Sequence, residues 1–188
     1  MLDIRWHGRG GQGTKTAVLL LAESVIMGGS YVQGFSEYGP ERMGAPVIGF
    51  NRIDSKPIRL HCPISEPHVV VVLDESLLET VAVTAGLRAG GTVLVNTTGN
   101  PHDIRARLSL SDGNVYSVDA TGIALETIGR PIPNTVMIGA LIHLTNVMTC
   151  EAFEQSFAQK FAHLYARPLL ESNAKAVRRA FTEVKGAS

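Results

Sequence analysis

Four glycines fall within six residues, G-R-G-G-Q-G at positions 8–13, and they separate a strand-like stretch from a helical one. Residues 2–6 alternate apolar and polar side chains, the period of a short β-strand. Residues 14–27 carry Val18, Leu21, Ala22 and Val25 on one stripe and end at Gly28-Gly29, which predicts a helix with a glycine stop. Residues 31–35 then predict a second strand. Strand, glycine turn, helix, strand is the opening unit of an open α/β sheet. A glycine-rich turn that feeds a helix presents backbone N–H groups where the helix dipole favours an anion. A tight turn without a ligand is the plain alternative.

The rest of the chain extends this pattern with one interruption. Residues 36–46, S-E-Y-G-P-E-R-M-G-A-P, are rich in turn formers and predict a loop. Residues 47–52 and 58–62 predict two strands joined by Asp54-Ser-Lys-Pro, an inserted β-hairpin. Residues 69–73 form a continuous β-branched run, typical of a parallel strand buried on both faces. A helix is expected from Asp74 to about Ala85, with further strands at 92–95 and 115–118. The last third predicts helices over 134–148, 151–165 and 168–185. In the final one Leu170, Ala174, Val177, Phe181 and Val184 form the apolar face, with Lys175, Arg178 and Arg179 turned to water. The expected architecture is therefore a single open, mostly parallel, Rossmann-like sheet with an inserted hairpin and a helical C-terminal third. No linker divides residues 1–188, so one domain is expected.

Composition removes several function classes. Lys+Arg and Asp+Glu number 17 each, so the chain lacks the positive field of a nucleic-acid or anionic-membrane binder. Its two cysteines, Cys62 and Cys150, form neither a disulfide framework nor a metal-binding pair. An iron–sulfur cluster normally takes four thiolates, so any clusters in a linked redox reaction are expected on other chains. The N-terminal residues lack a secretory signature, and the apolar segment 136–148 is too short to cross a bilayer. A cytoplasmic location follows as an expectation.

The glycine loop admits two nucleotide readings. Gly8, Gly10 and Gly13 satisfy G-x-G-x-x-G, the dinucleotide fingerprint, and an independent Rossmann-like NAD-binding protein or dehydrogenase is the alternative function. Its confirming acid should close the second strand, but positions 33–36 carry none and Glu37 is already in the loop. Gly8 and Gly13 also have P-loop spacing. There Thr14 takes the place of the required lysine and Lys15 comes one residue late, a rotation of about 100° on a helix.

Four ordered blocks carry a more specific likeness. I-R-W-H-G-R-G-G-Q-G-T-K-T-A, Y-V-Q-G-F-S-E-Y-G-P-E-R-M-G-A-P, V-V-V-V-L-D-E and I-P-N-T-V-M-I-G-A-L together resemble the gamma subunit of 2-oxoacid:ferredoxin oxidoreductases, nearest the pyruvate type. The resemblance implies an accessory subunit, inactive alone, in a complex with alpha, beta and delta-type subunits. That complex decarboxylates a 2-oxoacid on thiamine diphosphate with Mg, passes two electrons through 4Fe–4S clusters to ferredoxin, and gives the acyl group to coenzyme A. Thiamine diphosphate and the clusters are implied on the other subunits. This chain is implied to cover the thiamine site and help hold coenzyme A. The residues so implied are Arg9, Gly10, Gly11, Gln12, Gly13 and Thr14, with Ser36, Arg42 and Gly44 from the loop that leaves the second strand. Arg9 and Arg42 are the cations expected near phosphates, because the guanidinium offers a fixed fork of donors. A place at a subunit interface is equally open for Arg42.

No catalytic or metal-ligating constellation is expected on the chain itself, since neither Ser/His/Asp order nor paired carboxylates are evident. Asp74, Asp119 and Asn134 each precede a predicted helix and are expected as N-caps. His7 is expected to be a packed strand-end histidine and His143 an interior one on the apolar helix.

Overall fold

The computed structural model describes residues 1–38, 44–60 and 62–187. In chain order the elements are β1 (Leu2–Arg9), α1 (Thr14–Met27), β2 (Tyr31–Tyr38), β3 (Pro46–Asp54), β4 (Val69–Val72), α2 (Leu77–Thr80), β5 (Thr92–Asn96), α3 (Pro101–Arg107), β6 (Asn114–Val118), α4 (Ala120–Ile128), α5 (Asn134–Thr145), α6 (Cys150–Phe161), α7 (Arg167–Glu183) and β7 (Lys185–Gly186). Among the described residues, the seven strands form one sheet in the order β2-β3-β1-β4-β5-β6-β7. Strands β1, β4, β5 and β6 are parallel neighbours, while β2, β3 and β7 run antiparallel to the strands they pair with. This is the expected open α/β sheet with a parallel core and a hairpin.

The hairpin is made of different strands from those expected. Strand β3 pairs with β2 over Tyr31–Tyr38, not with residues 58–62, and its other edge pairs with β1. Both edges of β3 are thereby taken. Residues 57–60 have no strand geometry, and the Leu60 carbonyl accepts from Arg52 Nη1 at 3.5 Å. Strand β2 is accordingly an edge strand separated from β1 by an antiparallel one, which a simple βαβ unit forbids. Two further expectations need correction. The helix expected from Asp74 to Ala85 is only Leu77–Thr80, followed by turns, and α3 occupies a segment for which the apolar pattern predicts no helix. Helix α3 starts at an Asn100 cap whose side chain accepts from the His102 N–H, with Pro101 at the first helical position.

Two apolar clusters cover the sheet. On one face Ile4, Trp6, Val69, Val71 and Leu94 pack with α1, α4, α5, α6 and α7. On the other Val70, Val72, Val93, Val95 and Val115 meet Leu77, Val83 and Ile104. Four successive valines thus serve both faces, as expected of a central parallel strand. Above β1 the second face is different, because its buried side chains are Asp3, Arg5 and His7. Arg5 donates through Nη2 to the carbonyl of Val83 at 3.0 Å and through Nε to His7 Nε2 at 3.1 Å. Arg52 meets Asp3 at 2.9 Å.

Helices α5 and α7 touch at backbone distance. A Cβ placed on Gly139 would run into the carbonyl oxygen of Val177, well inside van der Waals contact, so only glycine fits there. Gly139→Ala is expected to force the helices apart and to destabilise the chain by about 1–3 kcal/mol, measurable by urea unfolding. The buried stripe of α7 is Asn173, Ala176, Val177 and Ala180, with Leu170, Phe181 and Val184 packed at its margin.

Candidate functional site

The carboxyl ends of β1, β4, β5 and β6 open on one edge of the sheet, the edge where ligands bind in open α/β folds. The glycine loop lies there, and it begins later than expected because Gly8 and Arg9 still pair with Val47 and Pro46 of β3. The ladder runs on into the loop: the Gly10 N–H donates to the Ala45 carbonyl at 2.9 Å, and the Gly44 N–H to the Gly10 carbonyl at 3.4 Å. Gly44 is thus beside the glycine loop, as expected, but through the start of the antiparallel β3 and not through the end of a neighbouring strand. Ser36 lies opposite Gly49 in the hairpin register, at the foot of the first turn of α1, where Thr14 also approaches Gly49. Arg42 lies outside the described residues.

Gly13 precedes α1 with φ +81° and Gly11 has φ +96°, left-handed conformations that favour glycine. Among the described residues, the N–H groups of Gly11, Gly13 and Thr14 have no backbone acceptor, the normal state of donors at a helix start. Gly11 is exposed, and a Cβ there would meet nothing within 4 Å. The Thr14 side chain does not point outward. It is buried beneath Gly8, and its Oγ1 has no hydrogen-bond partner.

The side chains of Gln12 and Arg9 tie the loop to its neighbours. Gln12 Oε1 accepts the Arg9 N–H at 2.8 Å, and its Nε2 donates to Asp74 Oδ2 at 2.6 Å. The Arg9 guanidinium donates through Nη2 to Ser76 Oγ at 2.8 Å and through Nη1 to the Gly44 carbonyl at 3.1 Å, with Nε 3.3 Å from Asp74 Oδ2. Asp74 is not an N-cap of α2. Its Oδ1 accepts from the N–H and hydroxyl of Ser76 at 2.9 and 2.6 Å, closing a turn before the helix. Partial burial works against its charge, but the hydrogen bonds from Ser76 and Gln12, with Arg9 alongside, prevail and hold the carboxyl below the usual range. Glu75 beside it is also held low, chiefly by a hydrogen bond from Thr97 and further by Arg107, with burial opposing.

The head of α5 approaches the loop from the other side. Asn134 Oδ1 accepts from the Thr135 N–H at 2.7 Å, while its Nδ2 would be 2.5 Å from a Cβ on Gly13. Asn134 is the first residue of α5, not its cap, which is Pro133. Asp119 caps α4 as expected, accepting from the Gly122 N–H at 2.8 Å. His7 is buried and neutral: burial first, and the nearby Arg5 second, push its pKa down to about 4. His143 is not interior. It is exposed and makes an edge contact with Phe181 at 4.8 Å between ring centroids. Among the described residues no three His, Cys, Asp or Glu side chains group as a metal site would require, and no helix is long and apolar enough to cross a membrane.

These features define an open α/β chain whose glycine-rich strand-to-helix turn carries backbone N–H groups without backbone acceptors. Residues 3–183 match the model of the family described as pyruvate ferredoxin/flavodoxin oxidoreductase, and the chain belongs to that family. It is 49% identical over 185 residues to the Pyrococcus abyssi pyruvate/ketoisovalerate oxidoreductases common subunit gamma, with 98% of each chain covered. The crystal structure of the pyruvate oxidoreductase subunit PORC from Thermotoga maritima superposes with a TM-score of 0.89 at 42% identity, covering 100% of this chain and 98% of that one. The 2-oxoglutarate:ferredoxin oxidoreductase from Magnetococcus marinus, solved with 2-oxoglutarate, coenzyme A and succinyl-CoA bound, shares the fold. Its TM-score is 0.77 at 20% identity, over 95% of this chain and 30% of that one. The chain is a subunit of the gamma or PorC type.

Proposed function

We propose that the chain is the gamma subunit of an oxidoreductase that converts a 2-oxoacid, pyruvate in the first instance, and coenzyme A to acyl-CoA and carbon dioxide while reducing ferredoxin. As one unit it covers the thiamine site and offers the glycine loop to the phosphates of coenzyme A. Thiamine diphosphate with its Mg, and the 4Fe–4S clusters, belong to the alpha, beta and delta-type partners. The observation that carries this reading is the trio of N–H groups at Gly11, Gly13 and Thr14, open at Gly11, at the head of α1. A phosphate oxygen is the acceptor such donors suit. The name of the Pyrococcus abyssi relative, a subunit common to pyruvate and ketoisovalerate oxidoreductases, supports placing oxoacid choice on other chains. An independent NAD site is disfavoured because β2, the strand that should carry the ribose-binding acid beside β1, is displaced to the sheet edge by β3.

In the assembled enzyme, Gly11→Asp places a carboxylate where the phosphate is expected. The coenzyme A KM is expected to rise about tenfold or more, equivalent to about 1.4 kcal/mol, with the 2-oxoacid KM unchanged. Gly11→Asn separates charge from backbone strain and should raise it far less. Equal coenzyme A KM values for wild type and Gly11→Asp would rule out phosphate binding at this loop.

A further inference from the structure

Every polar atom of the Gln12 side chain is engaged within the chain. A backbone N–H can only donate and a carboxylate can only accept, so the amide orientation is determined: Oε1 faces the Arg9 N–H and Nε2 faces Asp74. Asp74 is held in turn by Ser76, and Ser76 by the Arg9 guanidinium, which also reaches the Gly44 carbonyl. The result is a closed ring of hydrogen bonds that ties the glycine loop to the end of β4 on one side and to the start of β3 on the other. Asn134 closes against Gly13 from the head of α5. Between these supports lie the N–H groups of Gly11, Gly13 and Thr14, whose left-handed glycines would otherwise be free to sample other conformations.

We propose that Asp74 is a positioning residue of the glycine loop, acting through the Gln12 amide to hold those three N–H groups in one arrangement before a ligand arrives. Loop donors fixed in advance cost less ordering on binding, so the benefit is read as affinity for the anion. The kinetic consequence rests on coenzyme A as the ligand of the loop; the loop order itself does not.

The pairing can be reversed without removing it. Asp74→Asn alone turns an amide N–H toward the Gln12 N–H, and Gln12→Glu alone sets two carboxylates against each other. In the double variant Gln12→Glu/Asp74→Asn, the carboxylate introduced at position 12 accepts from both the Arg9 N–H and the amide introduced at position 74. The carbonyl oxygen of that amide still accepts from Ser76. In the assembled oxidoreductase each single variant is expected to raise the coenzyme A KM about tenfold with kcat and 2-oxoacid KM little changed, and the double variant to return to within about threefold of wild type. Hydrogen exchange of the amides at positions 10–14, measured without coenzyme A, should quicken in both single variants and recover in the double. Faster exchange with an unaltered coenzyme A KM would uphold the positioning role and overturn coenzyme A as the loop's ligand. Unaltered exchange and KM in the single variants would overturn the positioning role. Single-variant defects that the double variant fails to repair would overturn action through Gln12.

Discussion

Asp3→Ala is expected to cost the fold about 3–5 kcal/mol, because it leaves a buried guanidinium without its carboxylate. Asp3 and Arg52 are 3% and 4% exposed, and Arg52 Nε donates to Asp3 Oδ1 at 2.9 Å. The remaining neighbours of the guanidinium, Gln33 Oε1 and the carbonyls of Leu60 and Cys62, accept from Nη1 only at 3.4–3.5 Å and cannot neutralise the charge. His68, whose Nδ1 accepts the Asp3 backbone N–H, carries no negative charge and cannot replace the carboxylate. For a chain of this size each kcal/mol moves Tm by roughly 2–4 °C, so a fall on the order of 10 °C is expected in calorimetry. The double variant Asp3→Ala/Arg52→Leu should recover most of the loss, because it removes the charge together with its partner. A single variant within about 0.5 kcal/mol of wild type would show that Arg52 does not depend on Asp3.

The second large effect is acid destabilisation centred on His7. Its Nε2 accepts from Arg5 Nε, so protonation would set two donors face to face beside a buried cation. The folded-state pKa is about 4 against an unfolded value near 6.5, so between these limits the unfolded chain binds the extra proton. Stability from this group is complete above about pH 6.5, falls as pH drops toward 4, and changes no further below that. The full loss is roughly 3 kcal/mol, since each tenfold difference in proton affinity between the two states corresponds to about 1.36 kcal/mol. Urea unfolding at pH 7.5, 5.5 and 4 should show it in wild type. In His7→Gln, which retains an acceptor for Arg5 but does not titrate, that component should vanish. Parallel pH profiles for the two proteins would remove His7 as the sensitive group.

Both effects arise from the one strand whose alternation is easiest to see and hardest to interpret. Asp3, Arg5 and His7 alternate with Ile4 and Trp6, a pattern that marks a strand without saying what covers its polar face. That face is buried, because irregular chain around residues 83–88 covers it and supplies carbonyl groups that no side-chain pattern records. Helix α1 is legible to the residue, since its apolar stripe and terminal glycines are local signals. The partner of β3 is not, because strand pairing is a long-range choice and residues 58–62 are as apolar as residues 31–35. Helix α3 does carry a local signal, asparagine followed by proline and an acid in the first turn, but it is too short to show an apolar stripe. At the site, the glycine loop and its place at the sheet edge are legible. The assignment of Arg9 and Gln12 as holders of the loop depends on Asp74 and Ser76, which come more than sixty residues later in the chain.

Three arginines grip the cover of this sheet face by its main chain. Arg5 reaches Val83 and Ala85, Arg52 approaches Leu60 and Cys62, and Arg88 reaches Glu66, in each case through a carbonyl oxygen. Any residue carries that oxygen. The side chains at 60, 62, 66 and 85 are exposed and take no part in these bonds, so a substitution there leaves the grip intact. Two of the grips come from the strands beneath, Arg5 of β1 and Arg52 of β3, and the third, Arg88, ties one part of the cover to another.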